Sequence, residues 1–347
     1  MDINKRIKSF VNTGESIKLV LEAKDESSLK SSGEKHLFNS IPVAFHKNGW
    51  FSEISVRNSL EGIVAMLSEP DLLEWLSLNL SAIKKKEKVN RIGIIMAGNF
   101  PLVGFHDLLC VLLAGDFAVV KMSSDDSDLL PLILNIMVLQ DESIADSYLL
   151  QKEGIKGVDK IIATGTDNTA RYFEYYFSKY PRVIRKSRTS VAVIPEGISK
   201  DEIKKLAKDM FQFYGLGCRN VSKLMLPKGF DVPYLIDHLR SYESKMDNVK
   251  YFNNLEYHKS ILLINGVAFL DGGFFIMRES SDLFSPISIT NYEFYESKEQ
   301  VTDFISKHES EIQCAVGRDF EVKFGQAQLP HLWDYADKVD VMKFLLD

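Results

Sequence analysis

Residues Ile92 to Lys121 read IGIIMAGNFPLVGFHDLLCVLLAGDFAVVK, and this stretch decides the fold class of the chain. The apolar run Ile92–Met96 predicts a buried strand, and Gly98-Asn-Phe-Pro101 predicts a turn. Apolar spacing over Leu102–Leu113 predicts a helix, and residues 117–121 predict the next strand. Strands and helices that alternate in this way build a parallel sheet that is covered on both faces.

The same alternation continues along the chain, while residues before about 88 are predicted to be mostly helical. Further helices are predicted at 129–139, 169–177, 199–214, 234–242 and 299–308, and further strands at 161–163, 191–194, 221–226, 260–265 and 287–290. We therefore expect two doubly wound α/β domains, at 1–188 and 189–320. Residues 321–347 are expected to pack back onto a domain or to mediate oligomerisation.

Composition excludes several classes of protein. The chain has 347 residues and a net charge of −6, which gives no reason to expect nucleic-acid binding. Cys110, Cys218 and Cys314 are widely spaced, so neither a disulfide framework nor a metal site is predicted. No window approaches the roughly 20 apolar residues of a membrane span. A cytoplasmic protein is the resulting expectation.

Cys218 is the candidate nucleophile. It lies in FQFYGLGCRN, between a helix with a capping box and a predicted strand, and Gly215 and Gly217 let backbone crowd around the thiol. Arg219 favours the thiolate, whereas the carbonyl end of the preceding helix disfavours it. Local context alone fits a small buried apolar residue equally well.

Five motifs, taken in order, resemble the aldehyde dehydrogenase superfamily over about residues 90–330. They are GNFPL at 98–102, LAGDFAVVK at 113–121, IATGT at 162–166, Gly217-Cys218, and DLFSP at 282–286. The resemblance implies an active site between the two domains. It implies a catalytic Cys218 and an oxyanion donor at Asn99, the second donor being the backbone N–H of Cys218.

The resemblance also implies a nicotinamide cofactor bound by residues of the first domain and of the DLFSP motif. Lys121 is similar to the lysine that holds the adenosine ribose, and Thr164-Gly165-Thr166 to a turn near the pyrophosphate. Asp282 occupies the position of the family's ribose-binding glutamate, and Phe284 is expected near the nicotinamide ribose. Ser124 replaces a glutamate that disfavours a 2′-phosphate, so we expect NADPH, with NADH as the alternative.

One departure selects a branch of the superfamily. Oxidising members carry a glutamate that activates water for hydrolysis of the thioester, and residues 185–189 here read RKSRT, without a carboxylate. The chain most resembles the acyl-CoA reductases related to the fatty-acid reductase subunit of bacterial luminescence, including FGQAQLP at 324–330. This implies reduction of an acyl-CoA or acyl-protein thioester to an aldehyde. The short segment before residue 90 leaves oligomeric state, including a homo-oligomer, open.

Three alternatives remain at this stage. An acyltransferase or thioesterase would use the same cysteine without hydride transfer, an acyl-phosphate reductase would also lack the glutamate, and a non-catalytic relative would act as a binding partner.

Other residues receive structural interpretations. Asp125 and Asp126 are expected to cap a helix, the basic stretch Arg182–Arg188 to be more a solvated surface than an anion contact, and Cys110 and Cys314 to be core.

Overall fold

The computed structural model describes residues 3–152 and 154–347, apart from the side chain of Lys245. The chain forms two units. The first unit contains the chain up to residue 187 and residues 331–347, and the second contains residues 188–330. Residues 321–330 thus belong to the second unit, so the segment that returns to the first unit begins ten residues later than the predicted boundary.

The first unit is built on a five-stranded parallel sheet. Its strands are β1 Arg91–Ile95, β2 Phe117–Lys121, β3 Tyr148–Gln151, β4 Lys160–Thr164 and β5 Arg182–Arg185. The strand order is β3-β2-β1-β4-β5 and every pair is parallel. The order reverses at β1, where ligands of open α/β sheets bind beyond the carboxyl ends of the strands.

Helices cover this sheet and supply its core. They are α1 Ile3–Glu22, α2 Ser32–Ser40, α3 Glu53–Met66, α4 Glu69–Lys85, α5 Phe105–Leu113, α6 Leu129–Gln140 and α7 Asp167–Tyr176. Two buried side chains from each of β1 and β2 share one apolar cluster with α1, α5 and α6, including Cys110; they are Ile92, Ile94, Ala118 and Val120. The predicted helical N-terminal region and the core position of Cys110 are therefore confirmed.

The C-terminal residues pack into the same unit. Val341 and Leu345 of the last helix, Val341–Leu346, are fully buried in the cluster that contains β1. Tyr335 Oη accepts a hydrogen bond from Trp75 Nε1 over 2.8 Å. His106 is half-buried beside this segment, with its Nε2 2.9 Å from the carbonyl of Leu332. Residues 331–347 are consequently part of the hydrophobic core of the first unit.

The second unit contains a six-stranded sheet. Its strands are β6 Thr189–Val193, β7 Val221–Pro227, β8 Leu270–Asp271, β9 Ile276–Glu279, β10 Ile289–Tyr295 and β11 Ile312–Val316, in the order β11-β6-β7-β10-β9-β8. The pairs are parallel except β8 with β9. The helices are α8 Lys200–Phe211, α9 Val232–Leu239, α10 Val249–Ile264 and α11 Lys298–Lys307. Both units have the predicted α/β character.

Two element predictions are wrong. The run 260–265, predicted as a strand, is the last turn of α10, in which Leu263 is 63% and Ile264 is 83% exposed. A short apolar run fits a buried strand and a helix end equally well. The helix predicted to reach residue 214 ends at Phe211, because Phe213 and Tyr214 have left-handed backbones.

Among the described residues, none of the helices combines the length and apolar character that crossing a membrane requires.

Candidate active site

The turn that carries Cys218 has a strained backbone. After α8, Phe213 and Tyr214 have φ of 56° and 57°, and Gly215 follows with 78°. A left-handed conformation costs a side-chain-bearing residue roughly 1–2 kcal/mol, so two in succession require surroundings that enforce it. Both aromatic rings are buried, at 8% and 3% exposure. Backbone strain of this kind is concentrated at functional sites in proteins.

The side chain of Asn220 stabilises this turn through hydrogen bonds to its backbone. Its Nδ2 donates to the carbonyls of Asp209, Met210 and Gln212, at 3.2, 3.3 and 2.6 Å. Its Oδ1 accepts the N–H of Gly217 over 2.8 Å. The side chain thereby satisfies the last carbonyls of α8, which lack partners inside the helix, and fixes the residue before Cys218.

A neighbouring strand holds Cys218 itself. Ser190 Oγ, fully buried on β6, donates to the Cys218 carbonyl over 3.0 Å and lies 3.1 Å from Cys314 Sγ. All three cysteines lie within the described residues, and Cys218 alone is partly exposed, whereas Cys110 and Cys314 are buried. The predicted core position of Cys314 is confirmed. Cys218 thus combines a fixed backbone with partial exposure of the residue.

Arg219 and Asp209 attach the segment after β11 to this turn. Arg219 Nε donates to the carbonyl of Ala327, and Asp209 accepts the N–H groups of Gly325 and Ala327 over 2.6 and 2.9 Å. Burial raises the pKa of Asp209 to about 6, although both N–H groups oppose the shift. The FGQAQLP motif is thus structurally linked to the cysteine turn.

The DLFSP loop precedes β10, at the same amino-terminal edge of the sheet as the Cys218 turn. Asn291 Nδ2 donates to the carbonyls of Asp282 and Phe284 over 3.1 and 2.9 Å. Asp282 Oδ2 already accepts Arg278 Nη2 and Ser280 Oγ, at 3.1 and 3.0 Å. A ribose hydroxyl at Asp282 would therefore have to use the other carboxylate oxygen.

A small cavity of about 30 Å³ lies between the end of α8 and the loop before β10. Its lining includes Tyr214, Asn220, Tyr251 and Ser285. The volume accommodates one or two water molecules and excludes an acyl chain. The buried hydroxyl of Tyr251 makes no hydrogen bond with the described residues, so a water molecule there would satisfy it.

In the first unit, the remaining predicted site residues gather at the carboxyl edge of the sheet. Asn99 follows β1 and is exposed, Lys121 ends β2 and is half-buried, and Ser124 lies exposed in the next loop. Residues 164–166 lie at the end of β4 and the start of α7. Asn99 and the 164–166 turn follow the two strands that flank the reversal of strand order, where a ligand site is expected.

Asp126 does not cap a helix, because its carboxylate is hydrogen-bonded to the loop that carries Asn99. Helix α6 has Asp128 at its N-cap, whereas Asp126 is buried and accepts the N–H of Leu102 over 2.6 Å. The predicted capping role of Asp125 and Asp126 is wrong, since no side-chain cap bond to α6 is formed. Asp126 instead ties the Asn99 loop to the loop after β2.

The basic stretch 182–188 departs from the predicted solvated surface at Arg185, whereas Lys186 is exposed as predicted. Its first residues form β5, and Arg185 is buried, with two 2.6 Å hydrogen bonds to the carboxylate of Asp107. Arg185 is therefore neither a solvated surface residue nor available to an anionic ligand. Lys186 and Ser187 are exposed, and the N–H of Ser187 donates to Asp167 Oδ1 over 3.0 Å.

The backbone of the turn at residues 164–166 is suited to a phosphate group, as a bound dinucleotide would require. A Cβ on Gly165 would lie 3.0 Å from Thr169 Cβ and 3.1 Å from the Phe173 ring, so this glycine permits close packing on the first turn of α7. Thr166 is the N-cap of α7, and its Oγ1 accepts the N–H of Thr169. The N-terminus of a helix favours a phosphate.

Sequence reasoning missed the residues that shape the site. Asn220, Ser190, Asn291 and Asp126 are buried polar side chains that bind backbone groups of the functional loops. Each stands in an ordinary loop or strand context, and only its hydrogen bonds to backbone groups of the loops distinguish it. An asparagine two residues after a candidate nucleophile is the one weak signal that the sequence carries.

Comparison with known proteins agrees with this architecture. No protein-family model matches the sequence, and no curated protein matches it significantly. An oxidoreductase from Marinobacter aquaeolei is similar in structure with a TM-score of 0.63 and 13% identity, over 91% of this chain and 73% of that one. Aldehyde dehydrogenase 21 from Physcomitrella patens, in complex with succinate, gives 0.59 and 11%, over 98% and 82%. The chain has the aldehyde dehydrogenase fold.

A third similar structure is the Mycobacterium tuberculosis aldehyde dehydrogenase complexed with NAD⁺, with a TM-score of 0.56 and 12% identity over 88% of this chain and 72% of that one. At such identities the aldehyde dehydrogenase likeness establishes the two-unit α/β fold and leaves activity to be argued from residues.

Proposed function

We propose that this chain is a reductase that uses NADPH to convert a fatty acyl thioester, such as an acyl-CoA, into an aldehyde through an acyl-Cys218 intermediate. The observation that carries the proposal is the partly exposed residue Cys218 on a strained turn, with its backbone held by Asn220 and Ser190. A nucleophile held in this way within the aldehyde dehydrogenase fold supports covalent catalysis.

The first half of the reaction is acyl transfer. The Cys218 thiolate attacks the thioester carbonyl carbon, and the carbonyl oxygen becomes an oxyanion. The side-chain amide of Asn99 and the backbone N–H of Cys218 are the proposed donors to that oxygen. Collapse expels the coenzyme A thiolate, and the acyl group remains on Cys218 as a new thioester.

The second half is reduction. A bound nicotinamide would supply a hydride to the acyl carbon, and Asn99 with the backbone N–H of Cys218 would again donate to the oxyanion that results. Collapse of this intermediate breaks the C–S bond, releases the aldehyde and returns Cys218 as a thiolate. Two electrons move from the cofactor to the acyl group, and no water is consumed.

The residues after β5 support reduction over hydrolysis. The stretch RKSRT at 185–189 has no carboxylate, and the buried guanidinium of Arg185 is hydrogen-bonded to Asp107. An acyl-enzyme without a general base near this position has no group to activate water. The thioester is therefore kept for the hydride, which distinguishes this chemistry from that of oxidising aldehyde dehydrogenases.

The cofactor would be held by the carboxyl edge of the first sheet. Lys121 and Ser124 are proposed for the adenosine ribose and its 2′-phosphate, and residues 164–166 for the pyrophosphate. Asp282 and Phe284 are proposed for the nicotinamide ribose, with Asp282 contributing through its second oxygen. The absence of a carboxylate at position 124 supports NADPH.

Intact-protein mass spectrometry after mixing with saturated acyl-CoAs of graded length tests this function. We expect a single acyl adduct on wild-type protein, none on Cys218→Ala, and normal acylation of the buried-cysteine control Cys110→Ala. The chain length that acylates fastest identifies the substrate class. An adduct that persists in Cys218→Ala would contradict the proposed nucleophile.

A further inference from the structure

A single buried carboxylate fastens the loop that carries Asn99. Asp126 is 8% exposed, and its Oδ2 accepts the N–H of Leu102 over 2.6 Å. Its Oδ1 is buried and makes no hydrogen bond within the described part of the chain. A buried carboxylate with one hydrogen-bond partner loses more solvation than that partner returns. Stability alone therefore does not account for an aspartate at this position.

Both ends of the turn around Asn99 are held. Leu102 has a left-handed backbone, with φ of 61°, and the hydrogen bond to Asp126 secures this unfavourable conformation. At the other end, Asn48 Nδ2 donates to the Gly98 carbonyl over 3.1 Å. A Cβ on Gly98 would lie 2.5 Å from Ser123 Oγ, so the turn rests directly on the loop after β2. Asn99 lies between these two anchors.

We propose that Asp126 is a positioning residue that sets the place of the Asn99 side-chain amide through the N–H of Leu102. The inference rests on the proposed acyl transfer to Cys218, because Asn99 acts there as an oxyanion donor. In this proposal Asp126 acts through Leu102 and has no direct role toward the acyl group or the cofactor. Lys121 ends β2 and Ser124 lies in the following loop, which also contains Asp126, so the carboxylate also joins the oxyanion donor to the proposed cofactor residues.

The test compares two substitutions at this position. Asp126→Ala removes the acceptor, and displacement of an oxyanion donor by about 1 Å is expected to slow acylation roughly 10- to 100-fold. Asp126→Asn keeps one oxygen for the Leu102 N–H and should recover most of the rate. With octanoyl-CoA as the probe, the maximal acylation rate should fall in Asp126→Ala while the half-saturating concentration changes little.

A matched control separates positioning from loss of stability. Asp116 is buried at the opposite end of β2, where it accepts the N–H of Asn90 over 2.8 Å and pairs with Lys86. Asp116→Ala should lower the melting temperature and leave the acylation rate of folded protein unchanged. All rates are measured well below each variant's melting temperature.

The outcomes are distinct. If the wild type is acylated and Asp126→Ala is acylated at the same rate, this inference is overturned. The proposed function is unaffected by that result. Equal slowing of Asp126→Ala and Asp116→Ala, or no recovery in Asp126→Asn, would also overturn the inference. A wild type that forms no acyl adduct would overturn the proposed function and, with it, the role of Asp126. Slow Asp126→Ala with fast Asp126→Asn and Asp116→Ala would support the positioning role.

Discussion

The side-chain oxygen of Asn220 accepts the backbone N–H of Gly217 over 2.8 Å, immediately before Cys218. The amide nitrogen of the same side chain bonds three carbonyls at the end of α8. One buried asparagine thus joins the end of the helix to the turn that presents the thiol. The position of the candidate nucleophile depends on a residue that cannot itself react with a thioester.

Asn220→Ala should therefore affect both folding and acylation. Leaving buried backbone groups without partners costs about 1–3 kcal/mol each, so the free energy of unfolding should fall by at least that amount. The acylation rate of Cys218 should fall by about tenfold or more, since the turn loses its anchor. Thermal unfolding followed by circular dichroism, together with mass-spectrometric acylation rates, checks both effects.

The control for that variant is Asn253→Ala, an exposed asparagine on α10 in the same unit. It should change stability by less than about 0.5 kcal/mol and leave acylation unaffected. An Asn220→Ala protein that is acylated at the wild-type rate would show that the turn keeps its shape without this anchor.

The buried pair of Arg185 and Asp107 should stabilise the first unit without serving the substrate. Arg185→Ala leaves a buried carboxylate unpaired and should cost about 3–5 kcal/mol, whereas the double change Arg185→Met with Asp107→Leu should cost much less. All three tryptophans lie in the first unit, so tryptophan fluorescence during urea unfolding reports on this unit. A large rise in the KM for acyl-CoA in the folded double variant would instead assign Arg185 to substrate binding.

Stability should also depend on pH through Asp126. Burial raises its pKa from the ordinary 3.8 to about 6, although the Leu102 N–H opposes the shift. Folding therefore favours the protonated form. The stabilisation is fully present below pH 3.8 and is lost as the pH rises through about 6, up to about 3 kcal/mol. Asp126→Asn removes this dependence.

The measurement is urea unfolding of wild type and Asp126→Asn by tryptophan fluorescence between pH 4 and 7.5. The stability of the variant relative to wild type should increase with pH, most steeply between the two pKa values of 3.8 and about 6, and should level off above pH 6. A constant difference across this range would mean that Asp126 titrates in the folded protein as it does in the unfolded chain.

Much of the fold follows from the sequence because periodic apolar runs determine it. The strand at 117–121 is correct in its bounds, and the capping box of Ser199 and Glu202 begins α8 as expected. The strand β5 was missed because its basic residues resemble a surface, and Arg185 is buried only because Asp107 on a distant helix pairs with it. Partners of this kind are invisible to local patterns.

The site follows the same rule. The carboxyl-edge placement of Asn99, Lys121 and residues 164–166 follows from strand–turn–helix patterns, which are local. The supports of Cys218 come from Ser190 and Asn220, and those of Asn99 from Asn48 and Asp126. The bonds of Ser190, Asn48 and Asp126 join residues 24 to 50 positions apart, and the bond of Asn220 depends on the irregular path of the turn, so none of them follows from a local pattern.

Cofactor choice should respond to a single substitution. Ser124 lies exposed in the loop after Lys121, and Asp126 is turned to Leu102, so it is not available to repel a 2′-phosphate. Ser124→Glu should shift the ratio of kcat/KM for NADPH over NADH toward NADH by at least about tenfold, through charge repulsion. The control Ser178→Glu adds the same charge beyond the other end of α7 and should leave the ratio unchanged.

Equal use of both cofactors by the wild type would contradict the preference for NADPH. An unchanged ratio in Ser124→Glu would remove this loop from the ribose site.

The fate of the acyl group on Cys218 tests the central claim most directly. Protein is acylated with octanoyl-CoA, freed of excess substrate, and divided between buffer alone and buffer with NADPH, and the adduct and released product are followed by mass spectrometry. The adduct should persist in buffer, because residues 185–189 offer no carboxylate to activate water, and should discharge with NADPH as octanal in equal amount to the NADPH oxidised. Rapid release of octanoic acid without NADPH, or an adduct that NADPH leaves intact, would contradict the account.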